Sequence, residues 1–253
     1  MQKAIISVKN LVKNYGSFQA VKGISFDVYE GEIFGLLGPN GAGKSTTLEI
    51  IETLRTKTSG DVTVCGLDLD KHPEDIKKLI GVQLQTSGFY PGLSLVELIE
   101  LFAGLYNQPV DPAELLKLVN LADKAKSKYK EMSGGQKQRF SIATTLINKP
   151  KIIFLDEPTT GLDPQARRNL WELITNIRAQ GATVILTTHY MDEAEQLCDR
   201  IAIMDEGKII SLDSPDKMID DLVQSGFERP RQVKAANLED VFIHLTGKEM
   251  RDE

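Results

Sequence analysis

Apolar positions along the chain fall into three patterns. The first stretch alternates: Ile6-Ser7-Val8-Lys9, then Val21, Ile24, Phe26 and Val28, punctuated by Gly16, Gly23 and Gly31, which predicts half-buried strands. Continuous apolar runs predict more deeply buried strands at Ile33-Phe34-Gly35-Leu36-Leu37, at Ile80-Gly81-Val82-Gln83-Leu84, at Ile152-Ile153-Phe154-Leu155 and at Thr183-Val184-Ile185-Leu186-Thr187-Thr188-His189, with a shorter strand at Val62-Thr63-Val64-Cys65-Gly66. Between about residues 87 and 147 the period becomes 3.6. Ser94-Leu95-Val96-Glu97 reads as a capping box ahead of the face Leu95, Leu98, Ile99, Phe102 and Leu105, and Asp111-Pro112-Ala113-Glu114 opens a second helix. This is the pattern of a helical insertion in an α/β core.

Further along, Leu170, Leu173, Ile174 and Ile177 share a helical face, and Met191 to Cys198 reads as another helix. Strands Ile201–Met204 and Lys208–Ile210 turn at Asp205-Glu206-Gly207. Beyond Ser214 the pattern weakens. Pro215, Pro230 and Glu228-Arg229-Pro230-Arg231 suggest a loop between short helices, and Leu238, Val241, Phe242 and Leu245 form a last apolar face expected to dock on the core. No internal repeat is found.

Size and charge narrow the function classes. A chain of 253 residues, 41% hydrophobic, can fill one sizeable core with an inserted subdomain. The net charge of -6 supplies no basic field for nucleic acid or anionic lipid. No apolar stretch approaches the roughly 20 residues that span a bilayer, and Lys9 and Lys13 interrupt any secretory leader. A cytosolic chain is expected, with any membrane role exerted through a partner. Cys65 and Cys198 read as reduced, buried small hydrophobes.

The candidate chemistry centres on Gly38-Pro39-Asn40-Gly41-Ala42-Gly43-Lys44-Ser45-Thr46, a G-x-x-x-x-G-K-S run between a predicted strand and the helical Thr47–Ile51. Its glycines let successive N–H groups converge on an anion, and the helix N-terminus adds partial positive charge. Lys44 can reach the β- and γ-phosphates and the Ser45 hydroxyl can ligate Mg²⁺. Tyr15, in the turn Asn14-Tyr15-Gly16, is either a hairpin plug or a stacking surface for adenine. Gln85, at a strand end, would sit beside the γ-phosphate and meet Mg²⁺ or the attacking water. Asp156 can hold Mg²⁺ through water, and Glu157 can orient the hydrolytic water. His189 ends a buried strand aimed at the same place and is expected to contact the γ-phosphate. Met132-Ser133-Gly134-Gly135-Gln136 is a second capping box. Two first-turn glycines cost about 1 kcal/mol each relative to alanine, which is understandable if a phosphate approaches the bare backbone. Asp163, in Gly161-Leu162-Asp163-Pro164, reads as a helix N-cap that can also reach across a subunit boundary.

Over about residues 4 to 213 this order resembles the ATP-binding cassette ATPases of ABC transporters. Gly38–Thr46 matches Walker A, Gln85 the Q-loop, Ser133–Gln136 the signature motif and Leu155–Glu157 Walker B with its catalytic glutamate. Gly161–Asp163 matches the D-loop, His189 the switch histidine and Tyr15 the aromatic A-loop. Met132 stands where the signature usually has leucine, a nearly volume-conserving change. Glu157–Pro164 and Asn237-Leu238-Glu239-Asp240-Val241-Phe242 are similar to the drug-, lipid- and polysaccharide-exporting branch. The resemblance implies an α/β fold: a RecA-like P-loop NTPase core with an N-terminal antiparallel β subdomain and an inserted α-helical subdomain. It places an ATPase domain at residues 1–230 and a short C-terminal helical extension at 231–253. It also implies ATP and Mg²⁺, a head-to-tail dimer with a second copy or paralogue, and a membrane permease partner that holds the chain at the cytoplasmic face of the cell membrane. Lys44, Gln85, Glu157 and His189 are then catalytic, and Ser133–Gln136 and Asp163 meet the partner's nucleotide. The rival readings are a soluble ABC ATPase acting on ribosomes or DNA, and a nucleotide-binding regulator that does not hydrolyse.

Overall fold

The structure is a computed structural model and describes residues 3–85 and 88–227. The readings for residues 228–231, for the face Leu238, Val241, Phe242 and Leu245, and for the 231–253 extension lie outside the described residues. Contacts divide the chain into a unit Met1–Lys217 and a unit beginning at Met218.

In chain order the elements are β1 (Ala4–Tyr15), β2 (Phe18–Tyr29), β3 (Ile33–Leu37), α1 (Lys44–Ile51), β4 (Ser59–Val64), β5 (Leu67–Asp68), α2 (Pro73–Lys77) and β6 (Ile80–Gln83). Then come α3 (Leu95–Tyr106), α4 (Pro112–Leu118), α5 (Gly134–Thr145), β7 (Ile152–Asp156), α6 (Pro164–Ala179), β8 (Thr183–Thr188), α7 (Met191–Leu197), β9 (Arg200–Asp205), β10 (Lys208–Asp213) and α8 (Pro215–Gln224). Helix α8 starts in the first unit, and its remainder belongs to the second.

The alternating N-terminal stretch becomes an antiparallel sheet, ordered β2-β1-β4-β5. The continuous apolar runs become the second sheet, ordered β10-β9-β3-β8-β7-β6, parallel from β9 to β6 with β10 as an antiparallel edge. Its inner strands β3, β7 and β8 are buried at every position, so they carry no alternation. One apolar core joins the two sheets. It draws Ile6, Val8, Val21 and Phe26 from the first, Phe34, Phe154 and Ile185 from the second, and Leu48, Ile50 and Ile51 from α1 between them.

The local stop and start signals act as expected. Ser94 caps α3 and Ser133 caps α5 in full capping boxes, while Asp111 and Asp163 cap α4 and α6, each with proline in the first turn. The turn between β9 and β10 places Glu206 and Gly207 at positive φ. Two expectations need correction. Strand β6 stops at Gln83, the last residue to pair with β7, so Leu84 and Gln85 stand beyond the ladder. Cys65 is half-buried at positive φ rather than fully buried, whereas Cys198 is buried, and both thiols are free.

Candidate nucleotide site

Parallel pairing brings the carboxyl ends of β3, β8 and β7 side by side, with Leu37 opposite Thr188 and Thr187 opposite Asp156. Ligands bind at such strand ends in open α/β sheets. The glycine loop leaves β3 here and enters α1 through Gly43, at φ 97 and ψ 5. A Cβ at Gly43 would lie 2.6 Å from the Ala20 carbonyl oxygen, so both backbone conformation and space demand glycine. The first turn of α1 contains no acidic side chain and no side-chain cap, and its leading N–H groups have no intrahelical acceptor.

Lys44 folds back over this loop. Its Nζ donates to the carbonyls of Gly38 at 2.8 Å and Pro39 at 3.1 Å, and lies 3.9 Å from Glu157 Oε1. Burial lowers the Lys44 pKa, opposed by the charges of Glu157 and Asp156. Ser45 Oγ donates to Asp156 Oδ1 at 3.2 Å. Glu157 sits at φ 47, in the left-handed region rarely used by non-glycine residues. Its carboxylate collects several neighbours. Gln85 Nε2 donates to Oε2 at 3.3 Å, Thr160 Oγ1 donates to the same oxygen at 3.2 Å, and His189 Nδ1 lies 3.3 Å from Oε1 without hydrogen-bond alignment.

Tyr15 and Phe18 border the same cleft, of about 430 Å³, together with Asn40, Gly41, Thr46 and Gln85. The carboxyl end of β1 thus faces the phosphate loop, and Tyr15 is 40% exposed there. Ser133, Gly134, Gly135 and Gln136 line a separate cleft of about 340 Å³ with Gly161, Leu162 and Asp163. The two clefts share no lining residue. Gly135 also has a reason internal to the chain, since a Cβ there would stand 3.1 Å from the Ala166 Cβ of α6. The close approach of α5 to α6 therefore gives one of the two glycines a packing reason.

Two threonines escaped the sequence reading. Thr187 Oγ1 donates to Asp156 Oδ1 at 2.5 Å and accepts from the Glu157 N–H at 3.0 Å. The only signal was a pair of hydroxyls closing a strand whose middle, Val184-Ile185-Leu186, is apolar. Thr160 lies within the segment Glu157–Pro164, where nothing in the sequence marks it as a partner of Glu157.

These residues fit MgATP. The buried ammonium faces a helix start free of acidic groups, which suits phosphates. Among the described residues no cluster of three or more His, Cys, Asp or Glu could hold a metal. A hydroxyl and a carboxylate 3.2 Å apart instead suit Mg²⁺, which binds through one or two protein oxygens together with substrate phosphates and water.

Residues 21–160 match the family model described as ABC transporter. The chain is 34% identical over 304 residues to Nod factor export ATP-binding protein I of Burkholderia orbicola, with all of both chains covered. It is 42% identical over 213 residues to the linearmycin resistance ATP-binding protein of Bacillus subtilis, covering 82% of this chain and 68% of that one. Among solved structures, the ADP conformation of an ATP-binding cassette of an ABC transporter superposes with TM-score 0.78 at 26% identity, covering 88% of this chain and 95% of the other. A dimeric post-hydrolysis cassette bound to ADP and Pi superposes with TM-score 0.73 at 30% identity, covering 83% and 98%. The chain belongs to the ABC transporter family and is one of its nucleotide-binding ATPase subunits.

Proposed function

We propose that this chain powers an exporter, hydrolysing ATP as half of a head-to-tail dimer seated on a membrane permease at the cytoplasmic face of the cell membrane. The observation that carries the ATPase chemistry is the convergence of Lys44, Ser45, Asp156, Glu157 and His189 at the ends of three neighbouring strands. Export is supported by relatives whose names refer to Nod factor export and linearmycin resistance.

In this reading the loop Gly38–Thr46 wraps the phosphates, Lys44 neutralises the β/γ oxygens and Tyr15 stacks on the base. Ser45 and Asp156 hold Mg²⁺, with Gln85 as a further ligand. Mg²⁺ held by these residues would supply charge neutralisation for the phosphates. Glu157 orients and polarises the water, and His189 contacts the γ-phosphate. The catalytic contribution is positioning and preorganised charge. The Ser133 cleft sharing no residue with the Lys44 cleft supports a two-chain site, in which Ser133–Gln136 and Asp163 complete the partner's nucleotide site. We assign residues 1–230 to the ATPase domain, with the helices of about 87–147 as its insertion, and 231–253 to a short C-terminal extension. The translocation path belongs to the permease in this proposal; no helix among the described residues is long and apolar enough to cross a membrane.

Calorimetry on Lys44→Ala tests the site. Removal of a charge-assisted contact costs about 1.5–3 kcal/mol per bond, so ATP binding should weaken at least tenfold with the circular dichroism spectrum unchanged. Binding equal to the parent's would refute the phosphate-loop assignment. Co-purification from membranes tests the permease: a polytopic membrane protein should accompany the parent chain, and recovery of ribosomal proteins in its place would favour a soluble factor.

A further inference from the structure

We infer that Arg55 is a positioning residue for the nucleobase: anchored to Glu49 of the phosphate-loop helix, it sets the Tyr15 ring against which the base stacks. The inference rests on the stacking role proposed above for Tyr15.

Tyr15 is the last residue of β1, next to the turn at Gly16, and at 40% exposure its ring is not fixed by burial. Two cations fix it instead. The Arg55 guanidinium lies 5.5 Å from the ring centroid and the Lys13 ammonium 5.1 Å, both within cation–π range. Neither cation is loose. Arg55 Nε donates to Glu49 Oε2 at 2.5 Å, and the Arg55 N–H donates to the Glu49 carbonyl at 3.0 Å. Lys13 Nζ donates to the Thr56 carbonyl at 2.6 Å. The backbone is laced in the same place: the Asn14 N–H donates to Thr58 Oγ1 at 2.9 Å and the Thr58 N–H to the Val12 carbonyl at 2.8 Å.

Glu49 lies one turn beyond Ser45 on α1. The segment that leaves this helix therefore holds the base platform in register with the phosphate loop. A partly exposed ion pair contributes little to stability, so the Glu49–Arg55 bond has its consequence at Tyr15. A ring held in place loses less freedom when a base stacks on it, and ordering one such side chain typically weakens binding by about 2- to 10-fold. The Lys44 and Ser45 contacts to phosphate do not depend on Arg55.

The test measures steady-state hydrolysis and binding on the full chain. Arg55→Ala should raise the KM for ATP about 2- to 10-fold with kcat retained. It should leave inhibition by inorganic tripolyphosphate, which has no base, at the parent value. Tyr15→Ala should raise the KM further, and adding Arg55→Ala to it should change nothing more, because the two act as one unit. Glu49→Ala should reproduce part of the Arg55→Ala shift. Equal weakening of ATP and tripolyphosphate would overturn the inference by showing a general structural role. An unchanged KM in Arg55→Ala alongside a raised KM in Tyr15→Ala would overturn it while leaving base stacking intact. An unchanged KM in Tyr15→Ala would remove the stacking role and this inference together.

Discussion

Thr187 donates a 2.5 Å hydrogen bond to Asp156, and the same hydroxyl accepts the N–H of Glu157. One side chain from β8 thus orients both carboxylate-bearing residues at the end of β7. Asp156 Oδ1 also accepts from Ser45, so the orientation extends to the phosphate-loop helix. Thr187→Val keeps the shape of the side chain and removes the hydroxyl. Losing a buried hydrogen bond to a carboxylate corresponds to about 1.5–3 kcal/mol, so kcat should fall by roughly 10- to 100-fold with a smaller change in KM. Thr187→Ser should recover most of the rate. Full activity in the valine variant would show that Asp156 and Glu157 are oriented by other contacts.

Legibility in the sequence followed the range of the interaction. The strands β3, β7 and β8 and the caps Ser94, Asp111, Ser133 and Asp163 depend on neighbours within a few residues, and these could be read directly. The phosphate loop was legible because its chemistry is contiguous. What escaped depends on pairings between distant strands and helices. Thr187 looks like any hydroxyl at a strand end until β8 lies beside β7. Gly135 looked like a pure phosphate device until Ala166 of α6 came within 3.1 Å of its missing Cβ. Glu52 follows α1 directly and nothing in its sequence neighbourhood signals burial, which comes from the packing of α1 between the two sheets.

Glu52 gives the chain a pH-dependent stability. The residue is 2% exposed, and burial, followed by the charges of Asp156 and Glu49, pushes its pKa up to about 8 from an ordinary 4.5. The folded value lies above the unfolded one, so the folded state binds the proton more tightly. The favourable contribution is complete below about pH 4.5 and declines as pH rises toward 8, by up to about 1.4 kcal/mol per pH unit. Glu52→Gln removes this dependence. In urea titrations its stability relative to the parent should increase from pH 5 to pH 8 and level off above. A constant difference across that range would show that Glu52 ionises freely in the fold.

The last prediction separates a site shared by two chains from one complete in itself. Glu157→Gln keeps the size of the side chain and removes the carboxylate proposed to polarise water. ATP should still bind through Lys44, while hydrolysis should fall by roughly 10²-fold or more, as for other positioned acid–base groups. With hydrolysis blocked, ATP should hold two chains together, visible as an ATP-dependent dimer by light scattering. Ser133 is the N-cap of α5 and borders the cleft formed with Gly161 and Asp163, apart from the Lys44 cleft. Adding Ser133→Arg to Glu157→Gln fills the start of α5 with a long cation. In a head-to-tail pair the dimer should be lost while each chain still binds ATP by calorimetry. Ser133 also caps the helix through the Gln136 N–H, and losing that cap costs about 1 kcal/mol. Ser133→Ala in the same background isolates that cost and should weaken the dimer less than arginine does. If the arginine variant dimerises with ATP as well as Glu157→Gln alone, α5 does not face the partner's nucleotide and the head-to-tail arrangement fails.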